Sequence, residues 1–552
     1  MTNLRPSVNS PALDTPTANL KLIALAVALA VSGVSQVAVA GSCTNPGAGS
    51  WTCSGAADPG NDTFIHISES GSLDLMMEND FGLNVDTPEA AILGVVTPGS
   101  TGDLVITQGS GTITQNGTGT AVGGRNEGTG NVIMNIGAQG DTGTSGSLYA
   151  DAQGGGDITL NVYKSVSSKG YDAITASTTA SGDINIYAAE DIDAMNTSSN
   201  SSRGILATAD EGNVDIKADG NISGQAGGVY VTGGKDVNID INGDVTSGVT
   251  SLATAGVGVT DNTGSTTVDI QGNVTSNKDE GVMLYKYSGA GSQSVHVSGD
   301  VTATNGGGVA VTNTGSSDAI NIAVDGNVTA NDFTYGGIYA YQNMGSGDIN
   351  ATVGGDVTTT NGRGFTLFST HGGNITAHID GDINAKTDGI YAVSNNQAPD
   401  NHGDVNISVG GDITAGREGI RAQSNGAINV RTEGDVTAAG GRAIYAVSLP
   451  QSDEGGINID VQGDVTSGTP ATDDPGMTIY AINYGTADSY IRTQGDVTGG
   501  DIGIKTDSDG DFVVNIQGMV SGDSGLAVDM SDVVGVSTLM LSDNWALSGQ
   551  AY

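Results

Sequence analysis

Acidic and amide side chains recur at one position of a short motif, Gly-(Asp/Asn)-(Val/Ile), where they could bind a cation or accept hydrogen bonds. The residues at this position are Asn221, Asp244, Asn273, Asp300, Asn327, Asp356, Asp382, Asp412, Asp435, Asp464 and Asp496. If the motif copies stack, like carboxylates about 5 Å apart repel by about 1 kcal/mol per neighbouring pair. Two kinds of interaction could offset this repulsion. Each side chain accepts hydrogen bonds from backbone N–H groups of its own turn, or the aspartates from Asp356 to Asp496 bind Ca²⁺.

A second set of residues could form a recognition surface. A short apolar segment follows each motif, and its alternation places one residue between two inward-facing ones. These outward positions are Tyr230, Met283, Ala310, Tyr339, Thr366, Tyr391, Arg421, Tyr445, Tyr480, Lys505 and Ala527. The five tyrosines either shield their neighbours on exposed strands or form a binding stripe, because exposed aromatic side chains with a polar handle suit recognition.

One tetrapeptide matches a catalytic signature. Gly522-Asp523-Ser524-Gly525 is similar to the sequence around the nucleophile of trypsin-like serine proteases. Alignment of the repeats places Ser524 in an ordinary corner, and the five histidines are scattered with no local signature of a base. We therefore expect no catalytic residue.

The elements that position these residues are repeated strands. The first glycines of the motif run from Gly220 to a degenerate copy at Gly518, with an average spacing of about 27 residues, which is typical of a solenoid. Each copy combines a five-residue alternating strand, a Gly-Asp corner, a short strand and a third strand. A repeat this short buries its apolar face only by stacking on its neighbours. The sequence predicts an all-β, single-stranded parallel β-helix of about 16 coils.

The repeats divide the chain into regions. We expect a cap over residues 41–100, where the motif fits poorly, and β-helix repeats over residues 101–530. Residues 531–552 form the last coil or the start of a further region. An uncapped strand edge at the amino end would invite association.

The composition limits the partners and the compartment. A net charge of −43 disfavours nucleic acid and anionic lipid as partners. Residues 1–40 contain an apolar core at 22–34 and end in Ala38-Val39-Ala40, which predicts a signal peptide cleaved after Ala40. Cys43 and Cys53 then form a small-loop disulfide in an oxidising compartment, or Cys43 is an acylated lipoprotein anchor.

The long signal, the glycine-rich and cysteine-poor body and the Gly-Asp-Val-Thr repeats resemble the passenger domain of a Gram-negative autotransporter, a member of the type V secretion family. Residues 537–549 are similar to the last passenger coils of such proteins. The resemblance implies a right-handed β-helix, a location that is secreted, at the cell surface or at the outer membrane, and an outer-membrane barrel in cis or in trans for export. No barrel strands follow up to Tyr552. We therefore expect a truncated frame, a fragment or a separate export partner.

Three functions are consistent with these features. The first is a non-catalytic rod that acts in adhesion or self-association on a host or sister-cell surface, with a glycan or protein as its partner. The second is a β-helix polysaccharide lyase or hydrolase, which requires a compact cluster of carboxylates. The third is a purely structural stalk.

Overall fold

The computed structural model describes residues 41–58, 62–137, 144–195, 201–248, 255–315, 318–395, 402–449, 455–468, 476–542 and 546–552. The predicted signal peptide, residues 1–40, lies outside these ranges. The described residues after Ala40 form an all-β parallel solenoid of about 17 turns with about 27 residues per turn. No helix occurs among them. The fold class predicted from the repeats is thereby confirmed.

Each regular turn contributes a first strand, usually of five residues, to a 20-stranded sheet. Apolar and polar side chains alternate along it, so that three side chains face the core and two face outwards. The first strands are Leu73–Met77, Leu104–Gln108, Val132–Ile136, Ile158–Val162, Ile184–Ala188, Val214–Ala218, Val237–Ile241, Thr266–Ile270, Gln293–Val297, Ile320–Val324, Ile349–Val353, Ile375–Ile379, Val405–Val409, Ile428–Thr432, Ile457–Val461, Ser489–Thr493, Phe512–Ile516 and Ser537–Leu541.

A second strand of two or three residues follows the glycine-containing corner and belongs to a 35-stranded sheet. The second strands are Leu83–Val85, Ile113–Gln115, Thr144–Ser145, Val166–Ser167, Ile192–Ala194, Ile222–Gly224, Val245–Ser247, Val274–Ser276, Val301–Ala303, Val328–Ala330, Val357–Thr359, Ile383–Ala385, Ile413–Ala415, Val436–Ala438, Val465–Ser467 and Val497–Gly499.

The third strand of each turn joins the same 35-stranded sheet. The third strands are Ile65–Glu69, Ile92–Val96, Thr120–Asn126, Ser147–Ala152, Ile174–Thr178, Arg203–Ala209, Gly227–Gly233, Val257–Thr260, Val282–Lys286, Val309–Asn313, Ile338–Gln342, Phe365–Ser369, Ile390–Ser394, Ile420–Ser424, Ile444–Ser448, Met477–Asn483, Ile502–Ser508 and Ala546–Ala551. Met519–Val533 is one long strand that pairs with both a second and a third strand of the preceding turn.

The core is a set of apolar columns along the inside of the solenoid. Ile428 pairs with Ile457 and Val430 with Ile459 in parallel register, and all four side chains are almost fully buried. A shift of one residue would expose the whole inward set, so the alternation fixes the register. Full burial of each such side chain stabilises the fold by about 1.5–3 kcal/mol.

The glycine of the motif is required by close stacking. A Cβ atom at Gly411 would lie 2.5 Å from the carbonyl carbon and oxygen of Gly381 in the preceding turn. Gly381 and Gly434 meet the preceding glycine in the same way. Backbones therefore touch at this corner, and this contact explains why the glycine recurs with each turn.

The amino end differs from the regular turns. Ser42–Gly47 and Ser50–Ser54 form an antiparallel hairpin that pairs Cys43 with Cys53, and these two cysteines form a disulfide. Ser50–Ser54 then pairs in parallel with the first strand Leu73–Met77. Parallel strand pairing therefore extends into residues 41–100, where the Gly-Asp-Val motif fits poorly.

Candidate binding face

The outward residues of the third strands form a continuous column across the turns. Pairing places Tyr339 between Ala310 and Thr366, and Tyr445 between Arg421 and Tyr480. The full order from Tyr149 is Tyr149, Thr175, Leu206, Tyr230, Gly258, Met283, Ala310, Tyr339, Thr366, Tyr391, Arg421, Tyr445, Tyr480, Lys505 and Asp529. The five predicted tyrosines thus lie in one column, which also contains Tyr149.

The last predicted member of this column is wrong. Asp529, not Ala527, pairs with Lys505, and Ala527 is fully buried. A column with Ala527 beside Lys505 requires Leu526 beside Ile504, whereas the structure pairs Leu526 with Ile502. The extra residues within the long strand Met519–Val533 shift the register at this point.

Arginines cover the tyrosine rings in the turns from 363 to 480. We call Arg363, Tyr391, Arg417, Arg421, Tyr445, Arg442 and Tyr480 the arginine–tyrosine ladder. The guanidinium carbons of Arg363, Arg421 and Arg442 lie within cation–π range of at least one ring, and Arg417 shares the carboxylate of Asp388 with Arg363. The distances to the ring centroid are 4.6 Å for Arg363 over Tyr391, 5.2 and 5.5 Å for Arg421 over Tyr391 and Tyr445, and 4.4 and 5.4 Å for Arg442 over Tyr445 and Tyr480.

The tyrosines of the ladder are half-buried rather than fully exposed, because their neighbours along the column cover the ring faces. Tyr445 and Tyr480 also stack on each other, with centroids 5.6 Å apart and an interplanar angle of 20°. Burial raises the pKa of Tyr445 and of Tyr480 above the usual value of 10.0. Both hydroxyls therefore stay protonated at neutral pH and remain hydrogen-bond donors.

Two buried carboxylates hold the arginines in place. The side chain of Asp388 has no exposed surface and accepts hydrogen bonds from Arg363 Nε at 2.8 Å and from Arg417 Nε at 2.6 Å. Burial alone would raise the pKa of Asp388, but the two arginines outweigh it and hold the pKa below its usual value. Oε2 of Glu418 lies 3.6 Å from Nη1 of Arg421, and Oε1 of Glu418 lies 3.6 Å from Nη1 of Arg442.

Four arginines share these two carboxylates, so the cluster carries two more positive than negative charges. The whole chain has a net charge of −43 and only 18 basic residues. The arginine–tyrosine ladder is therefore a local basic surface on an acidic protein. Sequence reasoning found Tyr391, Tyr445, Tyr480 and Arg421 in the outward column. It missed Arg363, Arg417 and Arg442, because these arginines lie in connections outside the alternating strands.

A second outward column lies two residues further along the third strands and adds aromatic surface. Tyr341 and Phe368 have ring centroids 5.9 Å apart, and Phe368 lies 6.3 Å from Tyr391. Tyr335 packs edge-on against Tyr339 at 5.0 Å. Burial, together with nearby carboxylates, raises the pKa of Tyr335 to about 12. The period-two alternation that located Tyr339 would also have located this second column.

The aspartate and asparagine side chains of the motif form a column of hydrogen-bond acceptors. Oδ1 of Asp412 accepts the backbone N–H of Asp435 at 2.8 Å, and Asp382 accepts that of Asp412 at 2.8 Å. The same bond joins each turn from Asp191 to Met519. The predicted acceptor role is thus present, but the predicted partner is wrong. The N–H group belongs to the next turn, because the stacked corners bring it closer than the residue's own turn does.

The aspartates are arranged for this bonding rather than as a metal centre. Asp356, Asp382, Asp412, Asp435, Asp464 and Asp496 lie one per turn, and each commits Oδ1 to a backbone N–H group. Among the residues that the structure describes, no group of three or more His, Cys, Asp or Glu side chains could hold a metal ion.

A second acceptor column precedes the first strands and was missed by sequence reasoning. Asp157 accepts the N–H of Asp183 at 2.9 Å, and Asp348 accepts that of Asn374 at 2.9 Å. Its signal was the Gly-(Asp/Asn)-(Ile/Val) tripeptide at the start of several first strands, such as Gly182-Asp183-Ile184.

The sequence prediction that Ser524 lies in a corner is wrong, because Ser524 lies within the long strand Met519–Val533, between the segment that pairs with a second strand and the segment that pairs with a third strand. The hydroxyl of Ser524 is exposed and donates a hydrogen bond to the carbonyl oxygen of Asp501. Two histidines with acidic partners, His296 and His378, lie on first strands. His296 contacts Asp269 at 2.8 Å and Asp325 at 3.3 Å, and His378 contacts Asp380 at 3.0 Å.

Comparison with protein-family models, with curated proteins and with solved structures found no match to this chain. Within the ranges that the structure describes, no helical segment has the length and apolarity needed to cross a lipid bilayer.

Proposed function

We propose that this chain is a non-catalytic, autotransporter-like passenger rod that acts in adhesion or self-association through its third-strand face. In this proposal the chain is exported from a Gram-negative bacterium by an outer-membrane barrel in cis or in trans. It then acts as a secreted or surface-displayed protein on a host or sister-cell surface, where a glycan or protein is its partner.

The observation that carries the proposal is the concentration of tyrosine and arginine on one face. Aromatic residues make up 4% of the chain, yet eight of its sixteen tyrosines occupy outward positions of third strands: Tyr149, Tyr230, Tyr285, Tyr339, Tyr341, Tyr391, Tyr445 and Tyr480. Tyrosine and arginine are the residue types most enriched where binding energy concentrates. The repeated turns align the positions of the column about 5 Å apart, so that tyrosines one or two turns apart lie close enough to contact one partner together.

The chemistry of this face supports binding rather than catalysis. Guanidinium groups and protonated phenols donate hydrogen bonds and accept few or none. The carboxylates beneath them, Asp388 and Glu418, are occupied by two arginines each. The face therefore suits a partner rich in hydrogen-bond acceptors.

The test replaces Tyr339, Tyr391, Tyr445 and Tyr480 by serine and measures binding of the labelled protein to a printed glycan array and to fixed cells. The matched control is Tyr187→Ser with Tyr490→Ser, because these two tyrosines face outwards from first strands. We expect the quadruple variant to lose at least about tenfold in apparent affinity and the control to keep it. Equal binding by the two variants, or no binding by the unaltered protein, would refute the proposal.

A further inference from the structure

The acceptor column changes character in the turns that carry the arginine–tyrosine ladder. From Asn221 to Asn327 asparagine and aspartate alternate strictly, so no two carboxylates are neighbours. The next six positions are all aspartate. We call these six residues, Asp356, Asp382, Asp412, Asp435, Asp464 and Asp496, the aspartate column.

The fold does not require these six charges. Asn221, Asn273 and Asn327 accept the same backbone N–H bond from the next turn, at 2.8, 2.9 and 2.8 Å. Asparagine thus performs the structural role without repulsion, whereas six carboxylates stacked about 5 Å apart repel one another. The excess negative charge destabilises the isolated chain through repulsion between turns, and the hydrogen bond forms without it, which points to a role outside the chain.

The arginines that could meet these carboxylates lie in the same part of the solenoid, but at a different position within the turn. Asp412 precedes a second strand, and Arg417 and Arg421 follow that strand by way of the next connection. Arg417 has a side chain that is 52% exposed, and Arg421 one that is 33% exposed. Both guanidinium groups are already oriented by the buried carboxylates Asp388 and Glu418, so little side-chain entropy is lost when they meet another anion.

The aspartate column offers one carboxylate per turn, and the arginines lie whole numbers of turns apart, in the turns that begin at Asp356, Asp412 and Asp435. Each turn that carries an arginine can therefore face a carboxylate when two solenoids lie side by side. At physiological ionic strength charges further apart than about 8 Å are largely screened, which weakens the long-range repulsion between two chains of charge −43 more than it weakens ion pairs in direct contact.

We propose that the occupant of the arginine–tyrosine ladder is the aspartate column of a second copy of this chain. The inference rests on the proposed function, because it names the partner of the same face. The contact joins two different surfaces, so each copy keeps one free ladder and one free column. Such heterologous contacts extend into open assemblies rather than closing into dimers.

The experiment is sedimentation velocity of the purified protein over a range of concentrations, in about 0.15 M salt and in about 0.5 M salt. We expect concentration-dependent association in about 0.15 M salt that is lost in about 0.5 M salt. A protein that stays monomeric at every concentration in about 0.15 M salt overturns the inference.

A first variant removes charge without removing the hydrogen bonds. Asp382→Asn, Asp412→Asn, Asp435→Asn and Asp464→Asn together should weaken association at least about tenfold, because surface ion pairs contribute modestly but add along a row. The matched control, Asp157→Asn with Asp183→Asn, makes the same change in the other acceptor column, in turns without the ladder. Association of the quadruple variant equal to that of the control overturns the inference.

A charge exchange then identifies the two surfaces. Arg417→Glu with Arg421→Glu, and separately Asp412→Lys with Asp435→Lys, should each abolish self-association, and a mixture of the two variants should associate. Circular dichroism melts establish that each variant is folded. If each variant is folded and the mixture does not associate, the pairing of ladder with column is wrong.

The proposed function and the inference about its partner can be refuted by different results. If the unaltered protein is monomeric but binds immobilised polyglutamate through Arg417 and Arg421, the ladder binds an acidic polymer. The inference that a second copy of this chain binds there is then overturned. The array and cell assay with the tyrosine variants tests the proposed function without reference to assembly.

Discussion

Replacement of Asp412 separates the two forces that act in the acceptor column. Asp412 Oδ1 accepts one backbone N–H bond, and its carboxylate has Asp382 and Asp435 as neighbours in the adjacent turns. Asp412→Asn removes the charge and keeps the acceptor. Asp412→Ala removes both, so that comparison of the two variants isolates the hydrogen bond.

The magnitudes follow from the geometry. Two unit charges about 5 Å apart in water repel by about 1 kcal/mol, and salt reduces this further. With two neighbours, Asp412→Asn should raise the free energy of unfolding by up to about 2 kcal/mol in low salt and by almost nothing in about 0.5 M salt. Loss of one hydrogen bond costs about 1 kcal/mol, so Asp412→Ala should lie about that far below Asp412→Asn at either salt concentration.

The assay is urea unfolding followed by far-ultraviolet circular dichroism at the two salt concentrations. Asn327→Asp is the reverse control, because it places a carboxylate between Asp300 and Asp356 while retaining the acceptor. It should lower stability, and more so in low salt. Equal stabilities of Asp412→Ala and Asp412→Asn, or a salt-independent gain for Asp412→Asn, would show that the reasoning about the column is wrong.

Two further predictions concern other columns. Burial lowers the pKa of His296, but Asp269 and Asp325 outweigh it and raise the pKa above its usual 6.5. The stabilisation by these ion pairs is therefore complete below pH 6.5 and is lost as the pH rises through the raised pKa. The melting temperature of His296→Gln should accordingly approach that of the unaltered protein as the pH is raised from 5 to 9. A gap that widened with pH would contradict this. Gly411→Ala should lower the free energy of unfolding by about 2 kcal/mol, because its Cβ would collide with the preceding turn. The control Gly71→Ala has no atom within 4 Å of its Cβ and should leave urea unfolding unchanged. Equal stabilities of the two variants would show that close stacking is not the reason for the glycine.

The fold could be predicted from the sequence because alternation and the 27-residue period determine which side chains face inwards. Those signals located Tyr339, Tyr391, Tyr445 and Tyr480 in one column. They failed at Ala527, where extra residues break the period. They also failed for contacts between turns. The backbone donor to Asp412 lies in the next turn, and the partners of Asp388 lie in the preceding and following connections. These connections differ in length and have no periodic pattern, so the sequence gives no sign of which side chains meet there.

The acceptor column has a consequence for the response of the protein to mechanical force. Every bond in it joins one turn to the next, and the strand ladders follow the same rule. The terminal turn has only one such neighbour, so a pull applied at that end detaches this turn first, while the turns behind it still have a neighbour on each side. The chain would lengthen in discrete steps of about 27 residues, or about 90 Å of extended backbone per turn. A solenoid tethered to a cell in flowing liquid would dissipate tension by peeling one turn at a time and keep the remaining turns folded.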